Sequence, residues 1–158
     1  MPTPSAVKPR PSDVLVRPLR PDERQAWEPF WQAYLTFYES SVSPETTDIL
    51  WARLHDAREP MFVLGAFHGA QLIGIVHYLF HRSCWTIGDY CYLQDLYVSE
   101  EARGRGVGRA LIAAVEQAAR EKGASRVHWL TKEDNHTARA LYETLADRSG
   151  FIQYRKLF

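Results

Sequence analysis

The sequence predicts an α/β fold built on a mixed sheet, with strands and helices in the order β-α-α-β-β-β-α-β-α-β. Three observations predict this order. Three β-rich runs follow one another between residues 61 and 98 across short turns, as in an antiparallel meander. Two helical patterns precede these runs, and two more alternate with strands after them. A helix that joins two neighbouring strands makes them parallel, so the sheet is expected to be mixed.

Length and composition are those of one domain. The chain has 158 residues, of which 46% are hydrophobic and 13% aromatic, enough for a substantial core. Residues 1–12 contain four prolines and have no periodicity, which predicts a flexible Pro-rich N-terminal tail. Residues 13–158 are expected to form a single domain.

The first part of the domain is predicted to be one strand and two helices. Val14, Val16 and Pro18 alternate with polar residues in the strand. A helix over residues 21–39 has an aromatic face formed by Trp27, Phe30, Trp31, Tyr34, Leu35 and Tyr38. This face is expected to be core, with the alternative that Tyr34 or Tyr38 lines an acceptor pocket at the helix end. Ser43 as N-cap and Pro44 as first helical residue start the second helix, over residues 44–55, with Ile49, Leu50 and Leu54 expected to face inward.

The rest of the domain is predicted to start with the meander. Its strands cover residues 61–67, 71–81 and 90–98, with a turn at His68 and Gly69. A helix over residues 106–122 follows and ends at Gly123. The remaining elements are a strand over 126–131, a helix over 135–146 and a last strand over 151–158.

The loop between the third meander strand and the next helix has the composition of an anion-binding site. Gly104, Gly106 and Gly108 let the backbone approach an anion closely, and a helix start offers unpaired N–H groups and a positive dipole end. Arginine guanidinium groups can add charge-assisted hydrogen bonds. The cradle is therefore predicted over residues 103–109, which are Arg103, Gly104, Arg105, Gly106, Val107, Gly108 and Arg109.

Two other phosphate loops do not fit. A Walker loop ends in Gly-Lys-Ser/Thr, whereas Gly108 is followed by Arg109 and Ala110. A dinucleotide fingerprint that starts at Gly104 needs a third glycine where Arg109 stands.

Charge and cysteine usage limit the class of partner and the compartment. Nineteen basic residues balance nineteen acidic ones, so the chain as a whole gives no electrostatic argument for nucleic acid or an anionic membrane. There is no apolar run of membrane-spanning length and no signal-peptide pattern, which predicts a cytoplasmic protein. Cys84 and Cys91 are expected to be free thiols, and no metal site is predicted.

Two motifs resemble those of the Gcn5-related N-acetyltransferase (GNAT) family. Arg103, Gly106 and Gly108, after a strand and before a helix, resemble the loop with which the family binds the diphosphate of acetyl-CoA. Residues 135–142 are similar to the family helix in which an asparagine touches the pantetheine arm and a tyrosine faces the thioester sulfur, here Asn135 and Tyr142. The predicted order of elements is that of the GNAT fold from about residue 14 onward.

The resemblance is strongest to the branch of Hpa2-like and spermidine/spermine acetyltransferases, on residues 92–98 and 150–155. Relatives in that branch commonly have Tyr-Leu-Glu-Asp in the strand, and this chain has Gln94 at the glutamate position and keeps Asp95. Glutamine cannot act as an ion toward a cationic acceptor. The same branch implies a homodimer formed through the last strand.

The resemblance implies direct transfer of an acetyl group from acetyl-CoA to a primary amine: a small molecule, a polyamine or a lysine side chain. It also implies that the backbone of Leu96, Tyr97 and Val98 pairs with pantetheine. Gln94, at the family's glutamate position, and Tyr38, at the end of the aromatic helix face, are the candidates for the acceptor side. Asp95 is the candidate base, with a purely structural role as the alternative, and Tyr142 is the candidate acid for the thiolate. His77, His81, His128 and His136 are weaker candidates for the base.

Two alternatives remain open at the level of sequence. A non-catalytic acyl-CoA sensor could use the same cradle, although it would have no need of Tyr142. A protein lysine or N-terminal acetyltransferase would use the same chemistry with an open groove instead of an enclosed pocket.

Overall fold

The structure is a computed structural model that describes residues 10–158. Its elements, in chain order, are β1 (Val14–Pro18), α1 (Arg24–Phe37), α2 (Pro44–Arg53), β2 (Met61–His68), β3 (Gln71–His81), β4 (Tyr90–Val98), α3 (Val107–Glu121), β5 (Arg126–His128) and α4 (His136–Leu145). Short 3-10 turns precede β1, α1 and the loop before α3.

One mixed sheet of five strands, in the order β1-β2-β3-β4-β5, organises the chain. Its first three pairings are antiparallel, and the last, between β4 and β5, is parallel. The crossover between the parallel strands β4 and β5 is formed by α3. The predicted α/β class and mixed sheet are therefore confirmed.

The two faces of the sheet carry two apolar clusters. On one face, α1 and α2 bury Trp27, Trp31 and Trp51 against β2 and β3. On the other, α3 buries Leu111, Ile112 and Val115, and α4 packs more loosely with partly buried Leu141 and Tyr142. The aromatic face of α1 is thus mostly core, as expected from its spacing.

Most predicted ends agree with the structure to within a few residues, because caps and glycines mark them. The Ser43 hydroxyl accepts from the Thr46 N–H (3.1 Å) at the start of α2, and Gly123 has φ of 72° just after α3. The helix predicted from residue 21 begins instead with a 3-10 turn, Pro21–Glu23. Ile49, expected to face inward, is exposed, while Trp51 is buried in its place.

The predicted last strand over residues 151–158 is wrong. These residues form no strand, and Phe151, Ile152, Tyr154, Leu157 and Phe158 are all exposed. Strand-forming residues become a strand only where a sheet edge supplies hydrogen-bond partners, and this segment pairs with no edge of its own chain. β5 is also shorter than the predicted 126–131, since its pairing with β4 ends at His128.

Most of the predicted tail over residues 1–12 lies outside the described residues; its end forms the 3-10 turn Pro11–Asp13. Between residues 10 and 158, no helix is long and apolar enough to cross a membrane. The same part of the chain has no group of three or more His, Cys, Asp or Glu side chains that could hold a metal ion. Cys84 is exposed and Cys91 buried, and both are free, as predicted.

Candidate functional site

The glycine loop has the backbone that an anion cradle requires. Gly104 and Gly106 have φ of 73° and 78°, in the left-handed region that favours glycine. Gly106 is the N-cap of α3, and the first bond of the helix runs from the Ala110 N–H to the Gly106 carbonyl (3.0 Å). The N–H groups of residues 107–109 therefore precede the helical ladder and remain available at the positive end of the α3 dipole.

The arginines around this loop have different surroundings. The Arg103 Nε donates to the Val98 carbonyl (3.0 Å), and its guanidinium lies 5.4 Å from the Tyr97 ring centre, which fastens the loop to the end of β4. The Arg109 Nη2 donates to the Thr144 hydroxyl on α4 (3.1 Å). Arg105 is half-buried, and among residues 10–158 it has no ion pair with an acidic side chain. Arg105 is therefore the arginine of the loop that is least engaged within the protein.

β4 separates from β5 near the loop and opens a cleft. The two strands pair only from Tyr90 to Tyr92, so the Leu96–Val98 part of β4 runs beyond the end of β5. A Cβ added to Gly108 would lie 3.5 Å from Leu141 and 3.9 Å from Leu96, so the start of α3, β4 and α4 meet at this point. The backbone edge of β4 at the cleft is free of β5, which is the geometry needed to pair with an extended ligand arm.

Tyr142 lies on the inner side of α4, partly buried against the sheet core. Its ring meets Trp129 edge-on at 5.5 Å. Burial, and then the Tyr38 phenol, raise the pKa of Tyr142 above its ordinary value. Asn135 is the N-cap residue of the same helix, and its amide Nδ2 donates to the Thr131 hydroxyl (3.2 Å).

Asp95 lies on the opposite face of β4 from Leu93, two residues earlier, because of a β-bulge. His77 is opposite Asp95 and Tyr78 is opposite Leu93, which leaves Gln94 as the extra residue of β4. Gln94 and Asp95 consequently both line a cavity of about 340 Å³ between α2 and the sheet. Its other walls are largely apolar, from Trp31, Val42, Ile49, Leu50, Leu54 and Met61, and Arg53 is also in the lining.

The C-terminal end of α1 connects the two halves of the site. The rings of Tyr34 and Tyr38 lie 5.0 Å apart. Burial and the carboxylate of Asp95 raise the pKa of the Tyr34 phenol. The Tyr38 phenol likewise adds to the raised pKa of Tyr142. Tyr34 therefore lies close enough to Asp95, and Tyr38 to Tyr142, for their charges to interact. Tyr38 lies outside the lining of the cavity that holds Gln94.

The structure adds Trp27 to the predicted set and places His77, a weaker candidate for the base, directly beside Asp95. The His77 Nδ1 lies 2.9 Å from Asp95 Oδ2, and the Trp27 Nε1 donates to His77 Nε2 at 2.9 Å. A histidine inside the apolar run of β3 was the signal in the sequence, because a buried imidazole needs polar partners. Trp27 gave no signal beyond its place on the apolar face of α1.

The other candidates for a base or a nucleophile are less suitable. His81, His128 and Tyr90 form an aromatic group at the far end of β4, and His136 is exposed in the first turn of α4. Burial raises the pKa of the Cys91 thiol to about 11, which keeps it protonated and unreactive at neutral pH.

Comparison with known proteins identifies sequences and folds that share these features. The profile of the Acetyltransferase (GNAT) family matches residues 27–146. The D-amino-acid N-acetyltransferase HPA3 of Saccharomyces cerevisiae is 34% identical over 145 residues, covering 90% of each chain. The thialysine N-epsilon-acetyltransferase of Caenorhabditis elegans is 34% identical over 95 residues, covering 57% of this chain and 59% of the relative.

Solved structures share the fold at lower identity. The ribosomal-protein-alanine N-acetyltransferase of Brucella melitensis biovar Abortus 2308 superposes with a TM-score of 0.78 at 23% identity, covering 92% of this chain and 99% of the other. The aminoglycoside N-acetyltransferase AAC(6')-Iy, solved in complex with CoA, has a TM-score of 0.78 at 19% identity, covering 95% and 99%.

Proposed function

The chain belongs to the GNAT acetyltransferase family, and from that premise we propose that its cleft binds acetyl-CoA and passes the acetyl group directly to a primary amine in a ternary complex. It is an N-acetyltransferase, the activity that its named relatives share. The observation that supports the mechanism is that the start of α3 with its glycine loop, the free edge of β4 and helix α4, which carries Tyr142, meet at one cleft, with Asp95 on the other face of the strand.

The donor is proposed to bind along β4 and end at the start of α3. The backbone N–H groups of residues 104–109 would hold the diphosphate, and Arg105 would add charge from the rim. The backbone of Leu96, Tyr97 and Val98 would pair with the pantetheine arm, with Asn135 on the α4 side. Because Arg103 already bonds the Val98 carbonyl, its main contribution would be to hold the loop against β4.

Replacing Gly104 by alanine is expected to raise the KM for acetyl-CoA about tenfold, equivalent to about 1.4 kcal/mol of binding. A Cβ at Gly104 would meet no protein atom within 4 Å, so the methyl group would occupy space offered to the diphosphate. The left-handed φ adds strain of about 1–2 kcal/mol. Steady-state kinetics with varied acetyl-CoA measure the effect.

Gly69→Ala is the matched control, since Gly69 also has a positive φ, 59°, and an added Cβ there is also in open space. It lies in the turn between β2 and β3. Both variants should lose similar thermal stability, and only Gly104→Ala should lose donor affinity. Equal KM values for acetyl-CoA in the two variants would contradict the proposal that the glycine loop binds the diphosphate.

The acceptor is proposed to enter the cavity beside Gln94 and Asp95. Its largely apolar wall suits the hydrocarbon part of an amine, while the Asp95 carboxylate suits the ammonium group. An ammonium ion must lose a proton before it attacks. Asp95 would accept that proton, directly or through water, and pass it to solvent before the amine nitrogen bonds to the thioester carbon. As the C–S bond breaks, the thiolate would take the Tyr142 proton, and the nitrogen would lose its second proton through the same carboxylate to become the amide; Tyr142 would then be reprotonated from solvent.

A CoA-release assay with a panel of amines tests this proposal and names the acceptor. The panel contains D-amino acids and thialysine, the acceptors in the names of the relatives, together with spermidine, small amines and lysine peptides. Turnover with at least one amine is expected. Binding of acetyl-CoA without turnover on any amine would contradict the proposal and favour a sensor, for which the comparisons give no support.

The C-terminal segment, residues 147–158, is proposed to pair with a second copy of the chain. Five large apolar side chains are exposed within its last eight residues. A cluster of this kind is unfavourable in water and marks an interaction site. The free edge of β5 offers backbone hydrogen bonds to an extended partner segment. Exchange of the C-terminal segments between two copies would therefore pair this edge and also bury the exposed apolar side chains.

Light scattering after size exclusion is expected to give twice the chain mass of 18.2 kDa for the full-length protein. Removal of residues 148–158 should give a monomer, because the apolar segment is then absent. The double variant Phe151→Glu, Ile152→Glu keeps the chain length and should also be monomeric. A full-length protein that is monomeric at micromolar concentration would contradict the exchange.

Two further proposals concern the domain organisation of the chain and its location in the cell. Residues 13–158 are proposed to act as one domain, since both apolar clusters pack on a single sheet. A cytoplasmic location is proposed because Cys84 and Cys91 are free thiols, which reducing compartments maintain.

A further inference from the structure

A buried row of three side chains supports Asp95 from behind. Trp27 from α1, His77 from β3 and Asp95 from β4 are joined by two hydrogen bonds of 2.9 Å. The exposed fractions are 0% for Trp27, 4% for His77 and 14% for the Asp95 side chain. Only the carboxylate end of the row reaches the acceptor cavity with appreciable exposure.

The chemistry of the row fixes where its protons lie. An indole N–H can only donate, so His77 Nε2 must accept from Trp27 and carries no proton. The imidazole proton is then on Nδ1 and is donated to Asp95 Oδ2. The carboxylate is the acceptor of that bond, which leaves Oδ1 as the oxygen not used by His77.

We propose that His77 is a positioning residue, fixed by Trp27 in the Nδ1–H tautomer, which holds Asp95 so that Oδ1 is presented to the acceptor amine. This inference rests on the proposed function of Asp95 as the acceptor-side base. With its second nitrogen capped by an indole, His77 has no free lone pair with which to take the proton of the amine. His77 also lines the acceptor cavity, but it is only 4% exposed and both of its ring nitrogens are engaged, so it acts through Asp95.

The packing around the ring maintains this arrangement. The His77 ring centre lies 5.8 Å from that of Trp27 and 5.4 Å from that of Trp31, and Trp27 and Trp31 stack at 6.2 Å with nearly parallel planes. The Trp31 Nε1 is itself bonded to the Thr47 hydroxyl (3.2 Å). A 180° flip of the imidazole would bring a nitrogen and a carbon to each other's places and lose bonds to both Trp27 and Asp95, so the ring orientation is determined from both sides.

The first test reads the tautomer in the protein without any substrate. Long-range ¹H–¹⁵N spectra of the histidine rings in the ¹⁵N-labelled wild type are recorded near pH 8, and the His77 signals are assigned by their loss in His77→Asn. A protonated Nδ1 and an unprotonated Nε2 are expected. A proton on Nε2 would overturn the proposal, whether or not the protein acetylates any amine.

The second test compares His77→Asn with His77→Leu. The asparagine Nδ2 stands near the position of imidazole Nδ1 and can still donate to Asp95, whereas leucine cannot; both variants lose the acceptor for Trp27. A hydrogen bond to a charged group is stronger than one between neutral groups. His77→Leu should therefore lose about 10- to 100-fold in kcat, and His77→Asn should recover most of it, with the KM for acetyl-CoA unchanged in both.

The outcomes separate this proposal from the one on which it rests. Equal kcat values for the two variants, both folded by circular dichroism, would overturn the positioning role. A wild type that turns over no amine would contradict the proposed function, and the spectra would still report the tautomer. Trp27→Phe extends the test: loss of the indole hydrogen bond should shift the Nε2 resonance of His77 while Nδ1 stays protonated against Asp95, and an unchanged Nε2 resonance would contradict the role of Trp27.

Discussion

Asp95→Asn is expected to lower kcat by about 100-fold or more, the usual contribution of a general base. Asparagine keeps the shape of aspartate, and its Oδ1 can still accept the His77 Nδ1–H bond that Asp95 Oδ2 accepts at 2.9 Å. The substitution thus removes the charge and basicity while the bulge and the cavity wall stay in place. The measurement is CoA release at saturating acetyl-CoA with the best amine of the panel.

The control for this prediction is Gln94→Ala in the same cavity. Gln94 is exposed and is the extra residue of the bulge, so its loss should change the acceptor KM a few-fold and leave kcat nearly intact. The affinity for acetyl-CoA should be unchanged in both variants, because the glycine loop belongs to the other face of β4. An Asp95→Asn enzyme within threefold of wild-type kcat would favour the structural role for this carboxylate.

The sequence predicted the elements whose signals are local. Alternating residues identified the meander, Ser43 and Gly123 marked helix ends, and the glycine loop indicated the cradle through backbone chemistry that needs no tertiary contact. The family assignment followed from this loop together with Asn135 and Tyr142, and the profile match to residues 27–146 confirms it.

What the sequence did not predict depends on long-range partners. The bulge at Gln94 moves Asp95 to the cavity face, and its only signal was the uneven spacing of the buried Leu93, Leu96 and Val98. The row from Trp27 to Asp95 joins residues 50 and 18 positions apart, a distance that no local pattern spans. The failed last strand has the same cause, since a strand is specified by its partner edge as well as by its own residues.

Tyr142→Phe is expected to lower kcat by about 100-fold while acetyl-CoA binding is retained, if the phenol protonates the departing thiolate. Phenylalanine keeps the edge-on contact with Trp129 and the partly buried packing of α4, so the fold should be unaffected. Isothermal titration with acetyl-CoA and single-turnover CoA release measure the two quantities. Tyr38→Phe, which removes the neighbouring phenol, is the matched control and should have a much smaller effect.

The pH dependence of the Tyr142→Phe defect distinguishes an acid from a base. Burial, and then the Tyr38 phenol, raise the pKa of Tyr142 above the ordinary tyrosine value of about 10, and an acid works in its protonated form. Tyr142 therefore stays competent as pH rises through about 10, the ordinary tyrosine value, and is lost only above its own raised pKa. The ratio of wild-type to Tyr142→Phe rates should consequently be constant between about pH 7 and 9.5. A ratio that increases with pH would mean that the phenolate is the active form, which would overturn the assignment of Tyr142 as the acid.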